Sequence, residues 1–183
     1  MFIQTEVTPN PATLKFLPGN QVMAVGTANF TGPEQAPRSP LALRLFEIDG
    51  VAGVFLSTDF ITVTKMDGRD WETMKPMILS AIMDHFTSGE PVMAEGTGTD
   101  AEASDDGDDV TFQIKELLDT RVRPAVAQDG GDIIFQGFEN GIVYLHMHGS
   151  CSGCPSSTAT LKRGIENMLK YYVPEVVEVR TVD

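Results

Sequence analysis

Cysteine, positive charge and long hydrophobic runs are what this 183-residue sequence has little of. Two cysteines are too few for a disulfide scaffold. Thirteen Lys and Arg stand against 26 Asp and Glu, a net charge of −13. That balance speaks against a nucleic-acid partner, because phosphate binding needs clustered cations. No apolar run approaches the roughly 18–20 residues that span a bilayer, so no membrane partner is expected. Met1-Phe2-Ile3-Gln4-Thr5-Glu6 has neither the basic stretch nor the long apolar stretch of a secretory signal. With 42% hydrophobic residues, the chain is expected to be globular, soluble and intracellular. The start at Met1 favours a bacterial cytoplasm over the mature mitochondrial matrix.

The charge that is present is unevenly placed. Residues 1–94 hold ten acids and six bases, and residues 110–183 hold nine acids and seven bases. Between them, residues 95–109 hold seven acids and no base. So polar a stretch cannot bury enough surface to offset its ordering entropy, which predicts a disordered acidic tether. The expected organisation is therefore a domain at 1–94, a linker at 95–109 and a domain at 110–183, each flank long enough for a small core.

In the first flank, strand-like runs fall at 2–7, 14–17, 21–25, 51–56 and 60–65, separated by Pro, Gly and Asn. Ser39 before Pro40 suits the cap and first position of a short helix. Met74, Ile78, Leu79, Ile82, Met83 and Phe86 recur at helical spacing. Pro76 fits that helix if Thr73 caps it and the proline falls in the first turn. Met74, Met77 and Met83 are read as core filling rather than metal ligands. The flank shows no catalytic grouping, and no enzyme is expected.

The second flank predicts the order α-β-β-α-β. Asp109 caps a helix whose stripe is Val110, Ile114, Leu117, Leu118, Val122 and Ala125, ending at Gln128-Asp129-Gly130-Gly131. Strands at 132–138 and 142–148 join through Glu139-Asn140-Gly141, where Asn-Gly marks a hairpin. The loop Gly149-Ser150-Cys151-Ser152-Gly153-Cys154-Pro155 opens a helix carrying Leu161, Ile165, Met168, Leu169 and Tyr172. Pro174 stops that helix, and 176–179 close the fold as a strand. The whole is an α+β chain of two small α+β domains. Gly130-Gly131 lacks the rest of a phosphate-binding loop. Arg121, Arg123, Lys162, Arg163 and Lys170 are read as ordinary solvated charge before a docking face.

Both cysteines lie in one Cys-x-x-Cys, Cys151 and Cys154. Pro155 suits the first position of a helix, so the pair is expected beside a helix N-terminus. There N–H groups and the dipole favour anions and lower thiol pKa. Four readings fit: two inert small residues, a thiol–disulfide redox pair, a zinc site completed by His146 and His148, and an iron–sulfur cluster. His146 and His148 share a sheet face with Ile142 and Tyr144, as polar members of a half-exposed strand do. The cluster reading carries the greatest weight. Fe–S clusters generally take four thiolates, so one chain would supply half a ligand set.

At these residues the chain resembles the NifU-like (Nfu) iron–sulfur cluster carriers. Gly149-Ser150-Cys151-Ser152-Gly153-Cys154-Pro155-Ser156-Ser157 with Thr160-Leu161-Lys162 and Gly164-Ile165 is similar to their C-terminal domain. Arg123-Pro124 and Gln128-Asp129-Gly130-Gly131-Asp132-Ile133 match its other signature. Thr8-Pro9-Asn10-Pro11, Leu14-Lys15-Phe16 and Pro18-Gly19 resemble the N-terminal Nfu domain. The resemblance implies that Cys151 and Cys154 ligate a [4Fe–4S] cluster bridging a homodimer. It also implies an upstream assembly machinery as donor, and delivery to apo iron–sulfur clients such as lipoyl synthase or aconitase. The U-type scaffold domain with its own cysteines is absent, so carriage is expected rather than assembly from free iron and sulfide.

Overall fold

The computed structural model describes residues 1–95, 109–150 and 155–182, with the side chains of 155–158 excepted. The chain divides into two compact units, Met1–Ala101 and Glu102–Asp183. Apart from Glu95 and Asp109, the expected tether lies outside the described residues.

The first unit is a five-stranded antiparallel sheet with two helices. Its strands are β1 (Gln4–Val7), β2 (Thr13–Leu17), β3 (Ala28–Phe30), β4 (Val51–Leu56) and β5 (Ile61–Lys65), in the order β1-β2-β5-β4-β3. Pairing Leu14 with Val63, Val54 with Val63 and Leu56 with Ile61 puts these side chains on one face. That face packs on α1 (Pro40–Phe46) and α2 (Trp71–Ser88) through Leu41, Leu45, Met74, Ile78 and Ile82. Each such fully buried side chain contributes about 1.5–3 kcal/mol. Ser39 caps α1 as expected, its hydroxyl accepting from the Ala42 N–H at 3.1 Å.

Three expectations for this unit are corrected. Residues 21–25 form no strand. Val22 and Met23 are buried side by side, which alternating strand residues on one sheet face cannot be, and both N–H groups turn to the Thr58 carbonyl. The third strand is instead Ala28–Phe30. Asp70, not Thr73, caps α2 by accepting from the Glu72 N–H at 3.3 Å, while the Trp71 indole donates to the Pro11 carbonyl at 3.1 Å. The helix therefore starts early and carries Pro76 inside it. Met74 is core, but Met77 and Met83 are 42% and 41% exposed and fill none.

The second unit opens with α3 (Asp109–Leu117), a π-helical turn (Leu118–Val122) and α4 (Arg123–Gln128). Asp109 stands within the first turn of α3 rather than capping it. In the π turn the Arg123 N–H donates to the carbonyl of Leu118, five residues back. Pro124 follows, with no N–H of its own and a ring that crowds the carbonyl four residues before it, so the wider turn accommodates it. Ile114, Leu118, Val122 and Val126 are then the buried stripe, and Ala125 is exposed. Next come β6 (Gly131–Glu139), β7 (Ile142–Gly149), α5 (Pro155–Tyr172) and β8 (Glu178–Val182). β6 and β7 pair antiparallel, and β7 and β8 pair parallel, so α5 is a crossover. Asn140 (φ 52°) and Gly141 (φ 78°) make the expected hairpin turn. At the end of α5 the core residue is Val173, while Tyr172 is exposed. The last strand starts at Glu178, because Val176 is buried in the turn ahead of it and Val177 points out. The α-β-β-α-β order holds, with the first helix broken.

Candidate functional site

The segment holding Cys151 and Cys154 leaves the end of β7 and enters α5, and both cysteines lie outside the described residues. Its framing residues are well placed. Gly149 takes a left-handed conformation at φ 67° and pairs with Gly131 across the hairpin. Ser150 is buried; its N–H donates to the Gly130 carbonyl at 3.2 Å and its hydroxyl donates to the Asp129 carbonyl. Gly130, at φ 79°, is the turn that ends α4. The signature at 128–133 thus meets Gly149 and Ser150, the first two residues of the one at 149–155. The entry to the cysteine segment is tied to the turn between α4 and β6.

The same turn is locked from its other side. The Arg123 guanidinium grips Asp132 in two parallel contacts, Nε to Oδ1 at 2.8 Å and Nη2 to Oδ2 at 2.9 Å. Its Nη1 also reaches Asp119 at 3.1 Å. Asp132 is buried, and its Oδ1 accepts the Ile133 N–H at 2.8 Å. The hydrogen bond to Asp132 is the largest of the influences that raise the arginine's pKa, so the guanidinium keeps its charge. Sequence reading marked Arg123 and Asp132 as motif members and Arg123 also as ordinary solvated charge, which its grip on buried Asp132 corrects. Neither spacing nor residue type shows that a helix residue and a strand residue nine apart close a fork.

The exit is fixed by α5. Ile165 and Leu169 are buried against the sheet. The Glu166 carboxylate accepts the Val179 N–H of β8 at 3.2 Å and Lys170 Nζ at 2.7 Å. These contacts, Lys170 first, hold that carboxyl below its ordinary range. A helix of 18 residues then begins at Pro155, and the N-termini of such helices favour anions.

His146 and His148 lie on β7 opposite Ile134 and Asp132 of β6. Their ring centroids are 4.3 Å apart, with His148 Nε2 3.4 Å from His146 Nδ1. Among the described residues no group of three or more His, Cys, Asp or Glu could hold a metal ion. Of the five cations read as ordinary solvated charge before a docking face, three are engaged locally: Arg123 with Asp132, Lys170 with Glu166, and Arg121 over the Tyr172 ring at 5.0 Å.

Comparison with known proteins matches residues 3–89 to the scaffold protein Nfu/NifU N-terminal domain and residues 114–180 to the NifU-like domain. The mitochondrial NFU1 iron–sulfur cluster scaffold homolog of Homo sapiens is 54% identical over 183 residues, covering 100% of this chain and 72% of that protein. Its counterpart from Drosophila ananassae is 53% identical over 184 residues, covering 100% of this chain and 64% of that protein. The chain therefore spans a little under two thirds of the fly relative's length. Among solved structures, the NMR structure of a NifU-like protein from Saccharomyces cerevisiae covers 52% of this chain and 86% of that one, at 26% identity and a TM-score of 0.47.

Proposed function

This chain belongs to the Nfu/NifU family of iron–sulfur cluster scaffold proteins, and on that premise we propose that it carries a [4Fe–4S] cluster on Cys151 and Cys154 and hands it to apo-proteins. The observation that carries the reading is the coincidence of three things in the NifU-like domain. They are the family match, the only two cysteines of the chain, and a strand end pinned at Ser150 ahead of a helix start.

The chemistry follows from the ligand count. A cubane cluster needs about four thiolates and each chain has two, so the cluster is shared by two copies of the chain. A cargo held half by each copy is released when the copies part, without unfolding either. The helix start lowers the thiol pKa and offsets the negative charge of the thiolate-bound cluster. Acceptors are apo iron–sulfur proteins, with lipoyl synthase and aconitase as the clients that the family resemblance implies. An upstream assembly machinery is the donor. The N-terminal domain serves recognition, and the protein is a carrier rather than an enzyme. Both relatives are named as mitochondrial, which favours the mitochondrial matrix over the bacterial cytoplasm for this chain.

Anaerobic reconstitution with iron and sulfide, followed by metal analysis and sizing, tests the reading. The expected product is a brown dimer with four irons and four sulfides per two chains. A cluster-loaded monomer without added thiols overturns the shared site. A colourless protein with stoichiometric zinc overturns the carrier.

A further inference from the structure

We propose that the outer edge of β1 and the adjoining side of α2 form a docking groove for an extended segment of a partner protein. That segment adds a strand to the sheet, with alternating apolar side chains and a carboxylate placed at Lys75. β1 ends the five-stranded sheet, and no further strand pairs with it among the described residues. Alternate residues of Gln4–Val7 therefore turn their N–H and C=O groups outward, which is a template for an added strand. The opposite edge is guarded: β3 has only three residues, and Arg38 Nη2 donates to its Asn29 carbonyl at 3.2 Å. β1 has no such guard. It carries no proline, and its only charge, Glu6, leans to Lys15 of β2 at 3.5 Å.

The side chains beside that edge suit such a segment. Phe2, Ile3, Thr5, Lys75 and Leu79 border an open groove of about 530 Å³ along β1 and α2, within the roughly 300–1,000 Å³ of ligand sites. Phe2 is 81% exposed, and Met83, one turn beyond Leu79 on the same side of α2, is 41% exposed. An added strand would cover both. The Trp71 indole ties the start of α2 to the Pro11 carbonyl, in the turn between β1 and β2, so the groove is formed in advance. Lys75 makes no ion pair among the described residues, and Glu6, which also borders the groove, is taken by Lys15. An acidic side chain in the incoming strand is therefore its complement. A second copy fits less well. Paired antiparallel along β1, two copies would put both α2 helices and both Lys75 on one side of the joined sheet, like charge toward like charge. The proposal rests on the reading that the first unit serves recognition. That reading fails separately, if residues 110–183 alone transfer a cluster as fast as the full chain.

The full chain is panned against a phage library of random linear peptides, and a synthetic copy of the most enriched peptide is titrated into it. Enriched peptides are expected to alternate apolar residues and to share an Asp or Glu. On binding, the outward amides of Gln4–Val7 should slow in hydrogen exchange, as amides paired in a new ladder do. Lys75→Glu and Phe2→Ala, both changes at the groove's surface, should each weaken the peptide by at least about tenfold. N-methylating alternate amides of the peptide should abolish binding, because the added strand loses its donors. No enrichment, binding that leaves the β1 amides exchanging as before, or binding undiminished by both variants overturns the proposal. Dimerisation of the full apo chain that Phe2→Ala abolishes also overturns it, and gives the edge to a second copy.

Discussion

At the scale of single residues, the proposed cluster chemistry rests on Cys151 and Cys154, and the turn beside them rests on Arg123 and Asp132. Cys151→Ser and Cys154→Ser are each expected to abolish cluster uptake while leaving the far-UV CD spectrum unchanged; a normal cluster on either variant would contradict their role as ligands. Arg123→Ala removes the two-pronged contact from the buried Asp132 carboxylate. Stranding a buried charge costs 3–5 kcal/mol, and the partial exposure of Arg123 points to the lower end, about 3 kcal/mol by urea unfolding. His85 sets a separate pH response in the first unit. Both its ring nitrogens are buried with no hydrogen-bond partner among the described residues. Burial first, then the charge of Arg44, push its pKa below the ordinary 6.5. The unfolded chain therefore takes up a proton near pH 6.5, while the folded one stays neutral to lower pH. The contribution is full above pH 6.5 and is lost as pH falls toward the folded pKa. His85→Leu should remove this acid sensitivity and raise stability by about 1 kcal/mol. An unchanged pH profile of unfolding would refute the assignment.

Within elements, glycines divide into those the backbone requires and those it does not. Gly141 sits at φ 78°, and a Cβ there would stand 2.7 Å from Val177 Cγ2 and 3.1 Å from the Glu175 carbonyl oxygen. Its own carbonyl accepts the Val177 and Glu178 N–H groups at 2.7 and 3.2 Å. Gly141→Ala is expected to cost about 1–3 kcal/mol in thermal or urea unfolding, through strain and a shifted entry to β8. Gly164 lies inside α5, and a Cβ there meets nothing within 4 Å. Gly164→Ala should therefore stabilise the helix by about 0.5–1 kcal/mol. Stability gained with cluster dimerisation lost would mark Gly164 as a contact between copies. The hairpin was legible from Asn-Gly, because a two-residue turn is a local matter. The π turn was not, because its wider pitch answers to Pro124 and to which side chains the sheet receives.

For the whole molecule, each hydrophobic core closes within its own unit: Leu14 to Ile82 in the first, Ile114 to Val179 in the second. Residues 110–183 expressed alone are therefore expected to fold cooperatively and to take up a cluster, since both proposed ligands lie within them. Transfer to an apo acceptor should slow, because the domain proposed to serve recognition is missing. An unfolded fragment, or a folded one that cannot hold a cluster held by the full chain, would place part of the site in the N-terminal domain.

Local chemistry is what the sequence determined by itself. The single Cys-x-x-Cys ahead of Pro155, the Asn-Gly turn, the Ser39–Pro40 helix start and the break in composition at 95–109 each depend on neighbours along the chain, and neighbours can be read. Tertiary structure decided everything that depends on residues meeting across space. It joined Ser150 to Asp129 and Gly130, closed Arg123 on Asp132, exposed Met77 and Met83, and moved the third strand from 21–25 to Ala28–Phe30. Periodicity and propensity report which residues can be buried or paired. Which of them are buried depends on the surface that a packed sheet presents, and that surface is made by the rest of the chain.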